Sequence, residues 1–358
     1  MDRKFLLNSW VGLGIFMVYL VTVGAAPVMS PEELEQYVQK KIKRNPQVLR
    51  IRSKPLGHQG AKFLAEYPPL SNLTTLILND NGIGDDGVRE FANSKILTNL
   101  KILHLGKNDI SDVGVKEIAQ SKNFFGLQEL DLYRNKIGNE GAIALANSKV
   151  LTNLHKIYLG FNVIQDEGAL HLTTSTKLKS LELLELVQNS LGREGKEASE
   201  KFNWKQKFKS LKREGKLHDL RNQFIGDIGV IALLESPYAI DLIELNLDKN
   251  NLTDKAIMAL ANSPNISNLE TLNLANNQIT DEGAKALSEA QVLKKLKTLI
   301  LDNNYIGDEG AKTFAMTNHL SQLEKLSLEE NQIGPIGAEA LAKSKNLQNL
   351  AHPIFGFH

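Results

Sequence analysis

A pattern of apolar and polar positions recurs every 27 residues through most of the chain. In one unit, Leu76-Ile77-Leu78 is followed by Asn81 and Ile83, and the matching Asn positions of most later units are 27 residues apart. Alternate side chains of a strand point to opposite faces, so the two Leu residues face one side and the residue between them faces the other. The pattern predicts a short strand at the start of each of ten units over 73–349.

The second half of each unit predicts a helix. Ile-Gly-Asp-Glu-Gly-Ala at 306–311 resembles the run at 83–88, and Ala-x-x-Leu-Ala follows, as at 338–342. Apolar residues at this spacing form one face of a three-turn helix. We expect Asp308 and its equivalents to act as helix N-caps. Gly310 and its equivalents are costly in a first turn, which indicates close packing against the preceding turn.

Units this small cannot bury an apolar face alone, but stacked neighbours bury a continuous core. The repeat therefore predicts one elongated α/β domain: a horseshoe-shaped solenoid with a concave parallel sheet and convex helices. Length alone would have suggested two or three domains.

The frame L-x-x-L-x-L-x-x-N-x-I-G-x-x-G-A-x-x-L-A resembles the ribonuclease-inhibitor class of leucine-rich repeats. That class includes Ran GTPase-activating proteins, NOD-like receptor sensor domains and bacterial GALA-type effectors, and the resemblance covers about three quarters of the chain. It implies that the recurring Asn side chains form a ladder of hydrogen bonds to the backbone of adjacent turns, because buried amides are costly unless bonded. The fold hosts many unrelated partners, so it does not imply a particular ligand.

Composition narrows the function. The 358 residues include 56 Leu and 32 Asn, no Cys, and a formal net charge of +1. The charge balance argues against nucleic acid as a partner bound through bulk charge. The lack of Cys excludes disulfides, Cys-ligated zinc, iron–sulfur clusters and a Cys nucleophile. Without a P-loop, a nucleotide-binding Gly motif or HExxH, we expect no enzyme activity, no cofactor and no metal.

The two ends of the chain differ from the repeats. Residues 1–25 have a weakly basic start, a long apolar run and small residues near Ala25, which predicts a secretory signal peptide. An uncleaved membrane anchor is the alternative, since a 19-residue apolar helix nearly crosses a bilayer. Residues 30–72 predict an N-terminal cap with a degenerate repeat. Residues 350–358, with Phe355 and Phe357, predict a C-terminal cap.

One unit near 192–216 carries a seven-residue insertion and a basic helix. Phe202, Trp204, Phe208 and Leu211 lie between its basic residues. These are Lys196, Lys201, Lys205, Lys207, Lys209, Lys212, Arg213 and Lys216. The sequence leaves two interpretations open: a lengthened convex helix with a solvated basic face, or a contact surface for a partner or an anionic surface. The insertion also disturbs the curvature of the solenoid.

The middle residues of the strands predict a row along the concave face. Aromatic residues beside charged ones there are typical of binding hot spots. The predicted ligand-binding residues are His104, Glu129, Asp131, Tyr133, Lys156, Tyr158, Phe161, Glu185, Glu244 and Asp248. His104 beside Asp131 resembles a base with its orienting acid, but no nucleophile accompanies them. We interpret the two as an ordinary cross-strand pair.

The sequence as a whole favours a monomeric, non-enzymatic protein that is exported and binds a protein ligand on its concave face. The absence of Cys-rich caps favours a bacterial envelope or host-interaction protein. The alternatives are an intracellular GTPase-regulator-like repeat protein and a structural envelope spacer. We expect membrane contact only through an uncleaved N-terminus.

Overall fold

The computed structural model describes residues 29–347 and 349–350, so the predicted signal peptide and nearly all of the predicted C-terminal cap lie outside the described residues. The strands are β1 (Val48–Arg50), β2 (Thr75–Ile77), β3 (Ile102–His104), β4 (Glu129–Asp131), β5 (Lys156–Tyr158), β6 (Leu183–Glu185), β7 (Glu244–Asn246), β8 (Thr271–Asn273), β9 (Thr298–Ile300) and β10 (Lys325–Ser327).

Helices alternate with these strands. They are α1 (Pro31–Ile42), α2 (Gly57–Glu66), α3 (Gly84–Asn93), α4 (Asp112–Gln120), α5 (Asn139–Ala146), α6 (Asp166–Thr173), α7 (Arg193–Arg213), α8 (Gly226–Leu234), α9 (Asp254–Asn262), α10 (Asp281–Ser288), α11 (Asp308–Met316) and α12 (Pro335–Ala342). Short 3-10 turns at Pro68–Leu70, Lys122–Phe124, Ala239–Asp241, Pro264–Ile266 and Gln291–Leu293 precede some strands. We call one strand and its following helix a coil.

The strands pair in parallel and in strict register, which confirms the predicted α/β solenoid. Leu76 pairs with Leu103, and Leu103 pairs with Leu130, so each Leu lies directly above its equivalent in the next coil. These three side chains are fully buried. Burying one Leu contributes roughly 1.5–3 kcal/mol, so the repeated row supplies much of the driving force for stacking.

The predicted Asn ladder is confirmed. Asn108 is 1 % exposed, and its Nδ2 donates to the carbonyl of Leu78 in the preceding coil at 2.8 Å. Its Oδ1 accepts from the backbone N–H groups of Asn81 at 2.9 Å and of Ile83 at 3.3 Å. Each such amide therefore satisfies backbone groups of the coil before it, which offsets the cost of burying it.

The recurring Asp residues do not cap their own helices, and here our prediction was wrong. Asp85 lies inside the first turn of α3, and its carboxylate accepts from the backbone N–H groups of Ser111 (2.8 Å) and Gly114 (3.0 Å) at the start of α4. Asp112 does the same for α5, at Gly138 and Gly141. Each carboxylate therefore caps the helix of the following coil, where orphan N–H groups and the helix dipole favour an anion.

Two contacts explain the recurring first-turn Gly: the predicted close packing against the preceding turn and, in most coils, the carboxylate of the coil before. A Cβ on Gly114 would lie 2.5 Å from Asp85 Oδ1 and 2.9 Å from Ile110 Cγ2. No heavy atom can occupy that position unless the carboxylate moves. The Gly therefore leaves room for the cap supplied by its neighbour.

The N-terminal segment contributes a complete coil. Ser30 and Glu33 form a capping box at the start of α1, and Leu34 and Val38 of this helix are buried. Strand β1 pairs in register with β2, and α2 follows it. Within the described residues, no helix combines the length and apolar composition needed to cross a bilayer.

The solenoid is interrupted at the irregular unit. One sheet runs from β1 to β6 and a second from β7 to β10, which is extended by a single bridge between Asp219 and Asn246. The buried core divides at the same point. Helix α7, with 21 residues, packs Phe202 against the first core and Trp204 against the second. Our expectation of one continuous concave row was therefore wrong, because Glu185 and Asp219 are not strand neighbours.

Candidate functional site

The last residues of β2 to β6, each between the two repeat Leu positions, form a row across the concave face of the first sheet. The register places Ile77, His104, Asp131, Tyr158 and Glu185 side by side in that order. Neighbouring strands are ~4.8 Å apart, so adjacent side chains in the row can touch. Four of the predicted binding residues share this row.

Glu129 links His104 and Lys156 on this face. Its Oε1 lies 2.9 Å from His104 Nε2, and its Oε2 lies 3.3 Å from Lys156 Nζ. The side chains of His104 and Glu129 are only 19 % and 20 % exposed. The hydrogen bond and charge of Glu129 raise the pKa of Lys156 above its ordinary value. The three side chains form a hydrogen-bonded chain that is partly shielded from solvent.

Asp131 is the cross-strand neighbour of His104, as the sequence predicted, but it does not orient the imidazole. Its Oδ1 accepts from the backbone N–H of Tyr133 at 2.9 Å, and its Oδ2 accepts weakly from Asn79 Nδ2 at 3.4 Å. The imidazole bonds instead to Glu129 on the adjacent strand. Asp131 therefore stabilises the loop after β4. His104 and Asp131 are neighbours but are not hydrogen-bonded as a catalytic base and its orienting acid would be.

Two of the three predicted aromatic residues meet. The rings of Tyr133 and Phe161 lie 5.0 Å apart at 58°, and the Arg134 guanidinium lies 5.3 Å from the centre of the Phe161 ring. Arg134 and Phe161 both have φ of 55°. The left-handed backbone turns these side chains out of the strand direction, and Phe161 is 38 % exposed. Tyr158 lies in the central row, outside this ring pair.

The positions equivalent to Tyr133 in the coils before and after it are Gly106 and Gly160, and neither has room for a side chain. A Cβ on Gly106 would lie 3.2 Å from the Tyr133 carbonyl, and one on Gly160 would lie 2.7 Å from Glu185 Oε1. Glu185 accepts from the backbone N–H groups of Gly160 (3.2 Å) and Val187 (2.9 Å). Its carboxylate is therefore occupied by the loops after β5 and β6 rather than presented freely to a ligand.

The last two predicted residues lie apart from the others. Glu244 and Asp248 belong to the second sheet, beyond the interruption, and Asp248 Oδ1 accepts from Asn276 Nδ2 at 2.8 Å. We define the first-sheet patch as the remaining eight predicted residues: His104, Glu129, Asp131, Tyr133, Lys156, Tyr158, Phe161 and Glu185. Glu244 and Asp248 are excluded from it.

Sequence reasoning missed Asn79, which borders the first-sheet patch. Its Oδ1 is fully buried and has no hydrogen-bond donor within the described chain. Its Nδ2 makes only the weak bond to Asp131. The residue follows a strand Leu, but no periodic signal distinguishes it, since the equivalent position in the next coil is Gly106. Across 29–347 and 349–350, no three His, Cys, Asp or Glu side chains converge on a metal-binding position.

Two models of leucine-rich repeats match the chain, and together their matches span about half of its residues. One, "Leucine Rich repeats (2 copies)", matches 267–311. The other, "Leucine Rich repeat", matches 70–92, 97–119, 127–146, 150–172, 240–261 and 319–342. The matches leave the irregular unit uncovered. No curated protein matches the chain.

Solved structures with a similar arrangement include two internalins from Listeria monocytogenes str. 4b F2365. Internalin inlF is 20% identical, with 94% of this chain and 92% of that chain covered and a TM-score of 0.32. Internalin C2 (inlC2) is 20% identical, with 76% and 84% covered and a TM-score of 0.27. The tropomodulin C-terminal domain of Caenorhabditis elegans is 14% identical, with 44% and 99% covered and a TM-score of 0.35.

The repeat period, the in-register parallel strands and the buried Asn ladder agree with the matched models. Scaffolds of this type are typical of protein binding and are generally non-enzymatic. The chain belongs to the leucine-rich repeat proteins.

Proposed function

We propose that this protein is an exported, non-enzymatic scaffold that binds a protein ligand through the first-sheet patch, in a bacterial envelope or at a host surface. The observation that supports it best is the position of the Tyr133–Phe161 ring pair beside the partly shielded His104–Glu129–Lys156 chain. Aromatic anchors that adjoin charged groups are typical of the few residues that dominate protein interfaces.

The polar groups around the rings fit the same role. The Arg134 guanidinium over the Phe161 ring adds a planar donor at the rim. A ligand that covers the rings would gain apolar burial, and a ligand carboxylate would accept a hydrogen bond from the guanidinium.

The test uses the protein without residues 1–25, immobilised and exposed to extracts of envelope and host-cell surface proteins. The variant Tyr133→Ala/Phe161→Ala removes the ring pair. Phe125→Ala is the matched control, because Phe125 is 60 % exposed but lies after a 3-10 turn, outside the strand row. We expect a protein captured by the wild type and the control to be lost by the double variant.

The captured protein is then identified by mass spectrometry and titrated against each variant in purified form. We expect the double variant to weaken binding by at least about 2 kcal/mol, roughly thirtyfold, as for a central aromatic anchor. Equal affinity for all three proteins would refute the first-sheet patch as the binding surface and would favour the structural spacer or a contact on the convex face or an edge.

Export is part of the proposal and has its own test. We expect the mature protein to begin at or near Ala26, because the small residues before it suit cleavage after a 19-residue apolar run. The measurement is the N-terminal mass of the protein from the culture medium, the periplasm and the membrane fraction. A membrane-bound protein with Met1 intact would contradict cleavage and indicate an anchor.

A further inference from the structure

The interruption of the sheet leaves the far edge of β6 unpaired among the described residues. In the preceding coils, the second strand Leu donates to the next strand, as from Leu132 to Tyr158 and from Leu159 to Glu185. The equivalent N–H of Leu186 has no acceptor in the described chain, and neither does that of Gln188. Pairing resumes only at Leu220, which donates to Asn246. An open edge of this kind is a template for one more strand.

A cavity of about 610 Å³ lies beside this edge. One wall is 183–189, with exposed Leu183 and Val187, and the other is α7 from Lys196 to Lys207, with Gln223 at the far side. Its volume lies within the range of roughly 300–1,000 Å³ that ligand sites occupy. The space therefore combines backbone hydrogen-bonding groups with an apolar lining.

The α7 wall is held rigidly. Trp204 stacks on the fully buried Phe208 with ring centres 5.5 Å apart, and its indole packs against Gly229, where a Cβ would lie 3.0 Å from Nε1. Lys201 and Lys205 bind Glu235 at 2.6 and 2.8 Å. The helix is thus fixed to the following coil, and the cavity exists because α7 spans the gap without refilling it.

Charge around the cavity is uneven. A groove continues past the start of β6, where Lys207, Lys209 and Arg213 face it with Glu182. Lys207 Nζ bonds to Gln223, whereas neither Lys209 nor Arg213 has a carboxylate partner within the described residues. This end of the edge is therefore basic, and the cavity near Val187 is mostly apolar, with Lys196 and Glu200 on its α7 wall.

We propose that a partner protein inserts an extended segment here as a strand added to β6, with acidic residues over Lys209 and Arg213 and apolar side chains toward Val187 and Trp204. Main-chain hydrogen bonds to Leu186 and Gln188 supply affinity, and the alternate side chains supply specificity. The basic end selects acidic sequence. This site shares only Glu185 with the first-sheet patch, and the Glu185 carboxylate is bonded to Gly160 and Val187. The ring-pair variant and the Lys209/Arg213 variant therefore test the two sites independently.

The probe is a phage-displayed library of random 12-residue peptides, selected on the full chain, followed by the synthetic consensus peptide. We expect the consensus to combine acidic residues at one end with alternating apolar residues. Lys209→Glu/Arg213→Glu should weaken binding of that peptide about tenfold. The control variant Lys122→Glu/Lys149→Glu changes two exposed lysines in earlier coils and should leave the affinity for the peptide unchanged.

Amide hydrogen exchange tests the strand addition itself. In the free protein, Leu186 and Gln188 should exchange faster than Leu132 and Leu159, and the peptide should slow the first two at least tenfold. Ser199→Trp, which fills the cavity from α7, should abolish peptide binding while the circular dichroism spectrum stays unchanged. A selection without a common sequence, or a bound peptide that leaves Leu186 and Gln188 unprotected, would overturn the proposal.

Discussion

Gly114→Ala should destabilise the protein, although the same change usually stabilises a helix. An Ala in place of Gly within a helix contributes about 1 kcal/mol through its lower entropy cost. Here, however, the new Cβ would lie 2.5 Å from Asp85 Oδ1, which accepts from the N–H groups of Ser111 and Gly114. The carboxylate would have to move, and α4 would lose the bonds that it makes, keeping only the bond from Val113 N–H to Ser111 Oγ.

The magnitude follows from the contacts. Asp85 makes two bonds to backbone N–H groups and a third, of 2.5 Å, to Ser111 Oγ. Loss of a helix cap costs about 0.5–2 kcal/mol, and we take about 2 kcal/mol because three bonds are lost. Crowding of Ile110, 2.9 Å from the new Cβ, adds about 1 kcal/mol. Subtracting the helix gain leaves a net loss of about 2 kcal/mol.

A double-mutant cycle with Asp85→Ala isolates the cause. Once Asp85 is removed, the bonds of its carboxylate are already lost, so Gly114→Ala should cost close to zero, and the coupling should be about 2 kcal/mol. The assay is urea unfolding followed by circular dichroism, with amide exchange of α4 to detect local opening. Gly126→Ala is the control, because its Cβ would meet only the Leu100 carbonyl at 3.7 Å. A stabilising Gly114→Ala, or the same cost with and without Asp85, would refute the capping explanation.

Three further outcomes follow. Asn108→Leu should lower the free energy of unfolding by about 3 kcal/mol, because it leaves the buried carbonyl of Leu78 and the N–H of Asn81 without hydrogen bonds. Thermal unfolding measures this loss, and a loss below about 1 kcal/mol would contradict the role of the Asn ladder. Burial acts to raise the pKa of Glu235, but the hydrogen bonds and charges of Lys201 and Lys205 outweigh burial and lower this pKa below its ordinary value of 4.5. The ionised Glu235 therefore stabilises the fold above pH 4.5, and this contribution is lost as the pH falls through the lower pKa of the folded state. Glu235→Gln should therefore flatten the loss of stability in acid, and an unchanged pH profile would show that the pair contributes nothing. Light scattering should report one chain per particle, and a dimer would contradict the expected monomer.

The sequence predicted the features that the 27-residue period encodes directly. Leu76 and Asn108 lie where the period requires, because each contacts its own equivalents one coil away. The role of Asp85 could not be read in the same way. Its position suggests a local cap, and only the stacking distance shows that its carboxylate reaches Ser111, 26 residues later.

The site was less predictable than the fold. Register alone places His104 beside Asp131, but the choice of Glu129 as the bonded partner depends on side-chain reach and on the competing loop N–H of Tyr133. The insertion was visible as extra length. The insertion becomes part of a 21-residue helix and leaves the edge of β6 open. This outcome depends on the packing of Trp204 against Gly229, which the spacing of the repeats does not predict.

The Asn and Asp side chains that bond neighbouring coils reach in opposite directions along the solenoid. This determines where such a repeat array can be truncated or extended. Asn108 reaches back to Leu78, whereas Asp85 reaches forward to Ser111. A fragment ending at a coil boundary therefore loses the Asn that serves its last strand, and one beginning there loses the Asp that serves its first helix. The unit that must be kept intact is thus the junction between two coils rather than a coil itself. A duplication or graft will be tolerated when its two ends fall at equivalent positions of the 27-residue period, because every junction then keeps both its Asn and its Asp.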